Sequence, residues 1–212
     1  MKSVKDAMLL YAVTDRCWLG SRTLREDVEK ALQGGVTCLQ LREKNLDFQS
    51  FVREAEILKK LCKTYQVPFI INDNVQVAVA CGADGIHVGQ HDMTACEVRK
   101  MVGENCIVGV SAQTVEQALA AEKAGADYLG VGAVFSTSTK NDADAVSLET
   151  LRAICNAVSI PVVAIGGIHQ QNVDLLQGSG IDGIAVVSAL FAQKDIRFAA
   201  AELKMQAEKL FC

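Results

Sequence analysis

Eight short apolar runs alternate with longer helix-patterned segments, a glycine–aspartate unit recurs ahead of several of them, and polar residues gather at their far ends. Together these predict an α/β chain folded as a single (β/α)8 TIM barrel over residues 1–212. The rival is a doubly wound open sheet, which usually has fewer strands and collects its ligand at one switch point. Polar residues at nearly every strand end suit a ring of loops better.

The predicted strands are 8–13 (MLLYAV), 37–42 (TCLQLR), 68–72 (PFIIN), 84–88 (DGIHV), 107–111 (IVGVS), 127–131 (DYLGV), 161–165 (PVVAI) and 182–187 (DGIAVV). Between them, segments such as Leu46–Lys63, Ala95–Val102, Val115–Ala124 and Leu148–Val158 carry apolar residues three and four apart, the spacing of an amphipathic helix. The repeats CGADGIHV (81–88), AGADYLGV (124–131) and SGIDGIAV (179–186) place a Gly where one helix ends in the left-handed conformation and the next strand begins at once. Gln33-Gly34-Gly35 serves the same end before the second strand. No linker, composition break or low-complexity tract divides the chain.

Composition narrows the function classes. Half the residues are hydrophobic but only 5% are aromatic, so a core of Ala, Val, Ile and Leu is expected. A net charge of −4 argues against an extended nucleic-acid or anionic-membrane surface. The eight cysteines are spread evenly without a C-x-x-C pair, which reads as reduced thiols rather than disulfides or a metal site. The opening MKSVKDAMLL lacks the apolar stretch and cleavage site of a secretory leader, and no run reaches the roughly 18 apolar residues of a membrane span. A cytoplasmic protein acting on small molecules is expected, as a monomer or a homo-oligomer.

In a parallel barrel the carboxyl ends of the strands form the mouth, where chemistry occurs. Strand two ends in QLREK (40–44), and its period of two turns Gln40, Arg42 and Lys44 to one side. Strand three ends in Asn72-Asp73-Asn74, which would serve equally as an ordinary helix cap; so would Asp92 after strand four. Two carboxylates at neighbouring strand ends also suit Mg²⁺, which favours one or two carboxylates plus phosphate oxygens and water. Beside them Arg42 would clamp an anion in bidentate fashion and Lys44 would supply a point charge. His87, His91 and His169 lack zinc-site spacing, and His87 is expected to be packed or hydrogen-bonded within its strand.

After strand six, Ser136-Thr137-Ser138-Thr139-Lys140 has the composition of a solvated loop or of a lid that wraps an anion. Gly166-Gly167 after strand seven and Val187-Ser188 after strand eight occupy the usual TIM-barrel phosphate site, built from backbone N–H groups. Two anion sites are implied: one cationic and metal-assisted, the other lined by amides.

In order along the chain, QLREK (40–44), IND (71–73), HVGQ-x-D (87–92), GVS (109–111), T-x-TK (137–140), GGI (166–168) and VVSA (186–189) resemble the thiamine phosphate synthase family, and Leu10-Tyr11 and Thr14-Asp15 extend the likeness to the first strand. The resemblance implies a transferase joining hydroxymethylpyrimidine diphosphate to hydroxyethylthiazole phosphate, or its carboxylate, with Mg²⁺ as cofactor. Diphosphate leaves first, and the thiazole nitrogen attacks the resulting pyrimidine-methyl cation. By the same resemblance Arg42, Lys44, Asn72 and Lys140 bind the diphosphate, and Asp73 and Asp92 hold Mg²⁺. Tyr11, Gln40 and Ser111 contact the pyrimidine, while Thr137, Thr139, Gly167, Val187 and Ser188 serve the thiazole phosphate. Arg42, Lys44, Ser111 and Lys140 form the catalytic set. Ser136 departs from a common Pro, His91 from an acidic residue, and Asn74 from Asp or Arg. A paralogous thiazole tautomerase would need a His shortly after strand five, where this chain has Ser111-Ala112-Gln113. A non-catalytic phosphate-binding barrel is the alternative from another class.

Overall fold

The computed structural model describes residues 3–136 and 145–211. Its strands are β1 (Leu10–Val13), β2 (Cys38–Leu41), β3 (Phe69–Asn72), β4 (Gly85–Val88), β5 (Ile107–Ala112), β6 (Tyr128–Val131), β7 (Val162–Ile165) and β8 (Gly183–Val186). All pair in parallel, in chain order, and β8 returns to β1 to close the barrel. Seven of the eight predicted runs contain their strand, β5 reaches one residue beyond its run to Ala112, and the eight-stranded (β/α)8 expectation is met.

The alternation of side chains defines two layers. Leu10 and Ala12 of β1, Leu39 and Leu41 of β2, Phe69 and Ile71 of β3, and Ile86 and Val88 of β4 pack outward against the helices. Tyr11, Val13, Cys38, Ile70, Tyr128, Val163 and Ala185 fill the interior, joined by Ala7 and Met8 at the closed end. By the same period of two, Gln40, Asn72, His87 and Ser111 point inward on four consecutive strands at the mouth end.

The crossovers are α2 (Leu24–Gln33), α3 (Phe48–Tyr65), α4 (Val75–Cys81), α5 (Ala95–Val102), α6 (Val115–Lys123) and α7 (Leu148–Ala157). A single 3₁₀ turn, Val173–Leu176, joins β7 to β8, and β8 leads to the short α8 (Ser188–Phe191) and then α9 (Ile196–Phe211). Ahead of the barrel stands α1 (Val4–Ala7). Helix starts follow side-chain capping: Thr23, Asp47, Asn74, Thr94, Thr114 and Ser147 each accept a first-turn amide.

The repeated glycines adopt positive φ as expected, with Gly82 at +63° ending α4 in the left-handed conformation. The aspartates of the repeat act on register. Asp84, Asp127 and Asp182 each donate their backbone N–H to the carbonyl of Phe69, Val108 and Val162 respectively, at 2.7–3.0 Å. Each carboxylate then accepts the N–H of that same residue, at 2.7–2.9 Å. This two-point clamp fixes one strand start against the next at the closed end of the barrel. Thr37 does the same for Leu10. The seven cysteines among the described residues are free thiols, and no described helix is long and apolar enough to cross a membrane.

Candidate active site

The alternation along QLREK continues beyond the strand. Gln40 is buried at 5% exposure and faces the interior, while Leu41 is fully buried against the helices. Arg42 is anchored at the rim: its amide donates to Thr14 Oγ1 at 3.0 Å, and its guanidinium reaches Asp15 Oδ2 at 3.1 Å. Glu43 turns the other way and accepts from Arg16 Nε at 2.6 Å, while Arg16 also donates to Glu54 at 3.0 Å. Burial pushes the Glu43 carboxyl up although Arg16 pulls it down. Lys44 lies at the solvent edge, 3.1 Å from Asp73 Oδ2. Residues 40, 42 and 44 thus lie on the mouth side, and 41 and 43 bind the strand end to its surroundings.

The carboxylates are not consumed by helix caps. Asn74, not Asp73, caps α4, with Oδ1 accepting from Val77 at 3.0 Å. Thr94, not Asp92, caps α5 through a capping box with Glu97. Asp73 has φ +61°, a left-handed conformation that costs a non-glycine residue on the order of 1–2 kcal/mol. From that backbone its carboxylate meets Lys44. Asp92 is exposed, and its Oδ2 accepts the Gly89 amide at 2.7 Å, leaving its other oxygen outside that bond. Among the described residues no cluster of three or more His, Cys, Asp or Glu could enclose a metal. A carboxylate pair at two neighbouring strand ends, Asp73 after β3 and Asp92 after β4, is the donor type for a cation whose remaining ligands come from phosphate and water.

Deeper in the mouth, Ser111 Oγ lies 2.9 Å from His87 Nε2, and Gln90 Nε2 donates to the Ser111 carbonyl at 2.6 Å. His87 is therefore hydrogen-bonded in its strand, as expected. Tyr11 is 2% exposed and stands beneath Gln40, its hydroxyl accepting from Gln40 Nε2 at 2.8 Å. Burial, and then the nearby Tyr128, push the Tyr11 hydroxyl well above its usual pKa, so it stays a phenol.

Across the barrel a cleft of about 360 Å³ is lined by Phe135, Ser136, Gly167, Ile168, His169, Asn172 and Ser188. Gly167, at φ +66°, lies so close to the loop after β6 that a Cβ would meet Ser136 O at 2.4 Å. In α8 the ladder starts with Leu190 and Phe191, both donating to Val187 O, so the Ser188 and Ala189 amides stand ahead of it. Thr137, Thr139 and Lys140 lie outside the described residues.

Residues 10–190 match the family model described as thiamine monophosphate synthase. The chain belongs to that family. It is 54% identical over 203 residues to the thiamine-phosphate synthase of Ruminiclostridium cellulolyticum, covering 96% of both chains. To the thiamine-phosphate synthase of Clostridium tetani it is 51% identical over 194 residues, 92% of this chain and 93% of the other. Its fold superposes on the thiamine phosphate pyrophosphorylase of Pyrococcus furiosus with a TM-score of 0.92 at 40% identity, covering 99% of this chain and all of that one.

The sequence pattern missed Glu43's partner, Arg16, and the pair Tyr128 and His87 inside the barrel. The repeat carried a signal for the latter. Tyr128 falls where the two sister repeats have Gly85 and Gly183, and His87 where they have Gly130 and Ala185.

Proposed function

We propose that the chain is a thiamine-phosphate synthase, a transferase that joins hydroxymethylpyrimidine diphosphate to hydroxyethylthiazole phosphate, or its carboxylate. The products are thiamine phosphate and diphosphate, with CO₂ when the carboxylate is used. The observation that carries this reading is one mouth with two unlike walls: Arg42, Lys44 and Asp73 on one side, and the Gly167–Ser188 cleft on the other. A diphosphate and a monophosphate match those walls.

Arg42, already oriented by Asp15 and Thr14, would grip the diphosphate in bidentate fashion, with Lys44, Asn72 and Lys140 completing the hold. Asp73 and Asp92 would hold Mg²⁺, which supplies charge neutralisation for the departing diphosphate. In this reading the cations would stand where negative charge develops, so little reorganisation would be needed as the C–O bond breaks. Gln40 and Ser111, with Tyr11 beneath, would orient the pyrimidine. The amides around Gly167, Val187 and Ser188 would seat the thiazole phosphate and bring its ring nitrogen to the reacting carbon. That nitrogen attacks with its own lone pair, so bond formation needs no side-chain base. Thr137, Thr139 and Lys140 belong to the segment that would keep water from the cation.

The deciding experiment mixes purified protein with both substrates and Mg²⁺ and looks for thiamine phosphate. No product from folded protein ends the proposal.

A further inference from the structure

A hydrogen-bonded chain crosses the barrel interior from β2 to β5. Gln40 Nε2 donates to Tyr11 Oη at 2.8 Å, and Tyr11 Oη lies 2.8 Å from Tyr128 Oη. Tyr128 Oη lies 2.9 Å from His87 Nδ1, and His87 Nε2 lies 2.9 Å from Ser111 Oγ. The backbone makes room for it. A Cβ on Gly109 would fall 2.1 Å from the Tyr128 ring, and one on Gly130 would fall 3.0 Å from His87 Cε1. Two inward glycines on β5 and β6 thus leave space for two inward rings.

Proton counting gives the chain a direction. Tyr11 accepts from Gln40, so its single proton goes to Tyr128. Tyr128 then donates to His87 Nδ1, which places the His87 ring proton on Nε2, directed at Ser111 Oγ. The Ser111 proton is left to point elsewhere. Burial raises both phenols well above their usual pKa, so neither breaks the chain by ionising near neutrality.

We infer that Tyr128 and His87 are positioning residues that set the polarity of the two chain ends: Gln40 presents its Oε1 as an acceptor, and Ser111 presents its hydroxyl as a donor. Resting on the pyrimidine reading of those two ends, this assigns the specificity. A pyrimidine bearing an exocyclic amine offers Gln40 Oε1 the complementary donor, and a ring nitrogen offers Ser111 the complementary acceptor. Its oxo counterpart has nearly the same shape but offers acceptor and donor the wrong way round. The site therefore selects amino over oxo pyrimidines by hydrogen-bond sense, which discriminates far better than shape.

The test uses the whole chain, ¹⁵N-labelled at histidine, with the His87 signals assigned by their loss in His87→Asn. At neutral pH, His87 is expected as the Nε2–H tautomer; an Nδ1–H tautomer or an imidazolium overturns the direction. In Tyr128→Phe, Nδ1 loses its donor, so the tautomer ratio is expected to shift. Preference for the amino over the oxo pyrimidine diphosphate, measured by calorimetry, is expected to fall about tenfold, one hydrogen bond's worth. Thiazole-phosphate affinity is expected to hold. An unmoved tautomer, or equal weakening of both pyrimidines, overturns the inference. Tyr11→Phe is the second variant, decisive even if Tyr128→Phe does not fold. It frees Gln40 upstream of Tyr128, so amino preference should fall while the tautomer stays; a shifted tautomer or a retained preference refutes the order. Wild-type protein that makes no thiamine phosphate removes the proposed function, whereas the tautomer and calorimetric results judge the chain separately.

Discussion

Replacing Gly167 by Ala tests whether close backbone approach builds the phosphate cleft. Two costs add. A non-glycine residue at φ +66° loses on the order of 1–2 kcal/mol. The new Cβ also meets Ser136 O at 2.4 Å and Phe135 Cβ at 2.9 Å, so the loops after β6 and β7 must part. Gly178 supplies the control, because its φ is +70° and nothing lies within 4 Å of its Cβ position. Gly178→Ala should therefore show the conformational cost alone, and Gly167→Ala about 1–3 kcal/mol more, the usual range for overpacking. In a chain of this size each kcal/mol lowers Tm by about 2–4 °C. Thermal unfolding measures both variants, and titration with thiazole phosphate and with pyrimidine diphosphate measures the site. Gly167→Ala should weaken thiazole-phosphate binding at least about tenfold and leave pyrimidine diphosphate within about twofold. Equal stability of the two variants, or unchanged thiazole-phosphate affinity in Gly167→Ala, refutes the reasoning.

Three further outcomes are expected. Asp92→Ala abolishes Mg²⁺-dependent coupling while thiazole-phosphate binding survives; full activity at limiting Mg²⁺ would remove Asp92 from the metal. Lys140→Ala lowers the coupling rate by about 100-fold or more, as loss of a preorganised charge-stabilising group does, with little change in thiazole-phosphate affinity. Comparable losses in both would assign Lys140 to the other phosphate. Burial disfavours the Asp15 carboxylate, but the Cys17 amide and Arg42 outweigh it, so the group ionises below its usual value. Its stabilisation is therefore present at neutral pH and lost as pH falls through that depressed value, below about 4. Asp15→Asn should cost on the order of 1 kcal/mol at pH 7 and raise KM for pyrimidine diphosphate. In chemical denaturation, a stability gap to wild type that persists unchanged at pH 3 would show the ion pair to be inert.

The strands were legible because each is buried on both faces and reads as a short apolar run bounded by Gly, Pro or Asp. Helix α4 was not: VQVAVAC alternates like a strand, and it is the Asn74 cap and the left-handed Gly82 that make it a helix. Helix α9 has an ordinary helical pattern, yet a reading built on strand ends passed over it. At the mouth, Gln40, Arg42, Lys44 and Asp73 were readable because strand parity and charge are local properties. Tyr11, His87 and Tyr128 form one unit only through three strands distant in sequence and two glycines that make room. The partner of Glu43 is hidden for the same reason, since Arg16 lies 27 positions away.

The parity of β2 also determines where the chain tolerates changes in length. Removing one residue between Gly35 and Gln40 would turn the outward Leu41 into the mouth and drive Arg42 into the apolar layer under the helices, so a core side chain and a rim cation would trade places. Removing two would restore the facing but draw the guanidinium about 6–7 Å towards the closed end. Beyond Lys44 no such alternation holds, and residues added between Lys44 and the Asp47 cap of α3 alter only the loop. Natural variation in length should therefore collect after position 44 and stop at position 36.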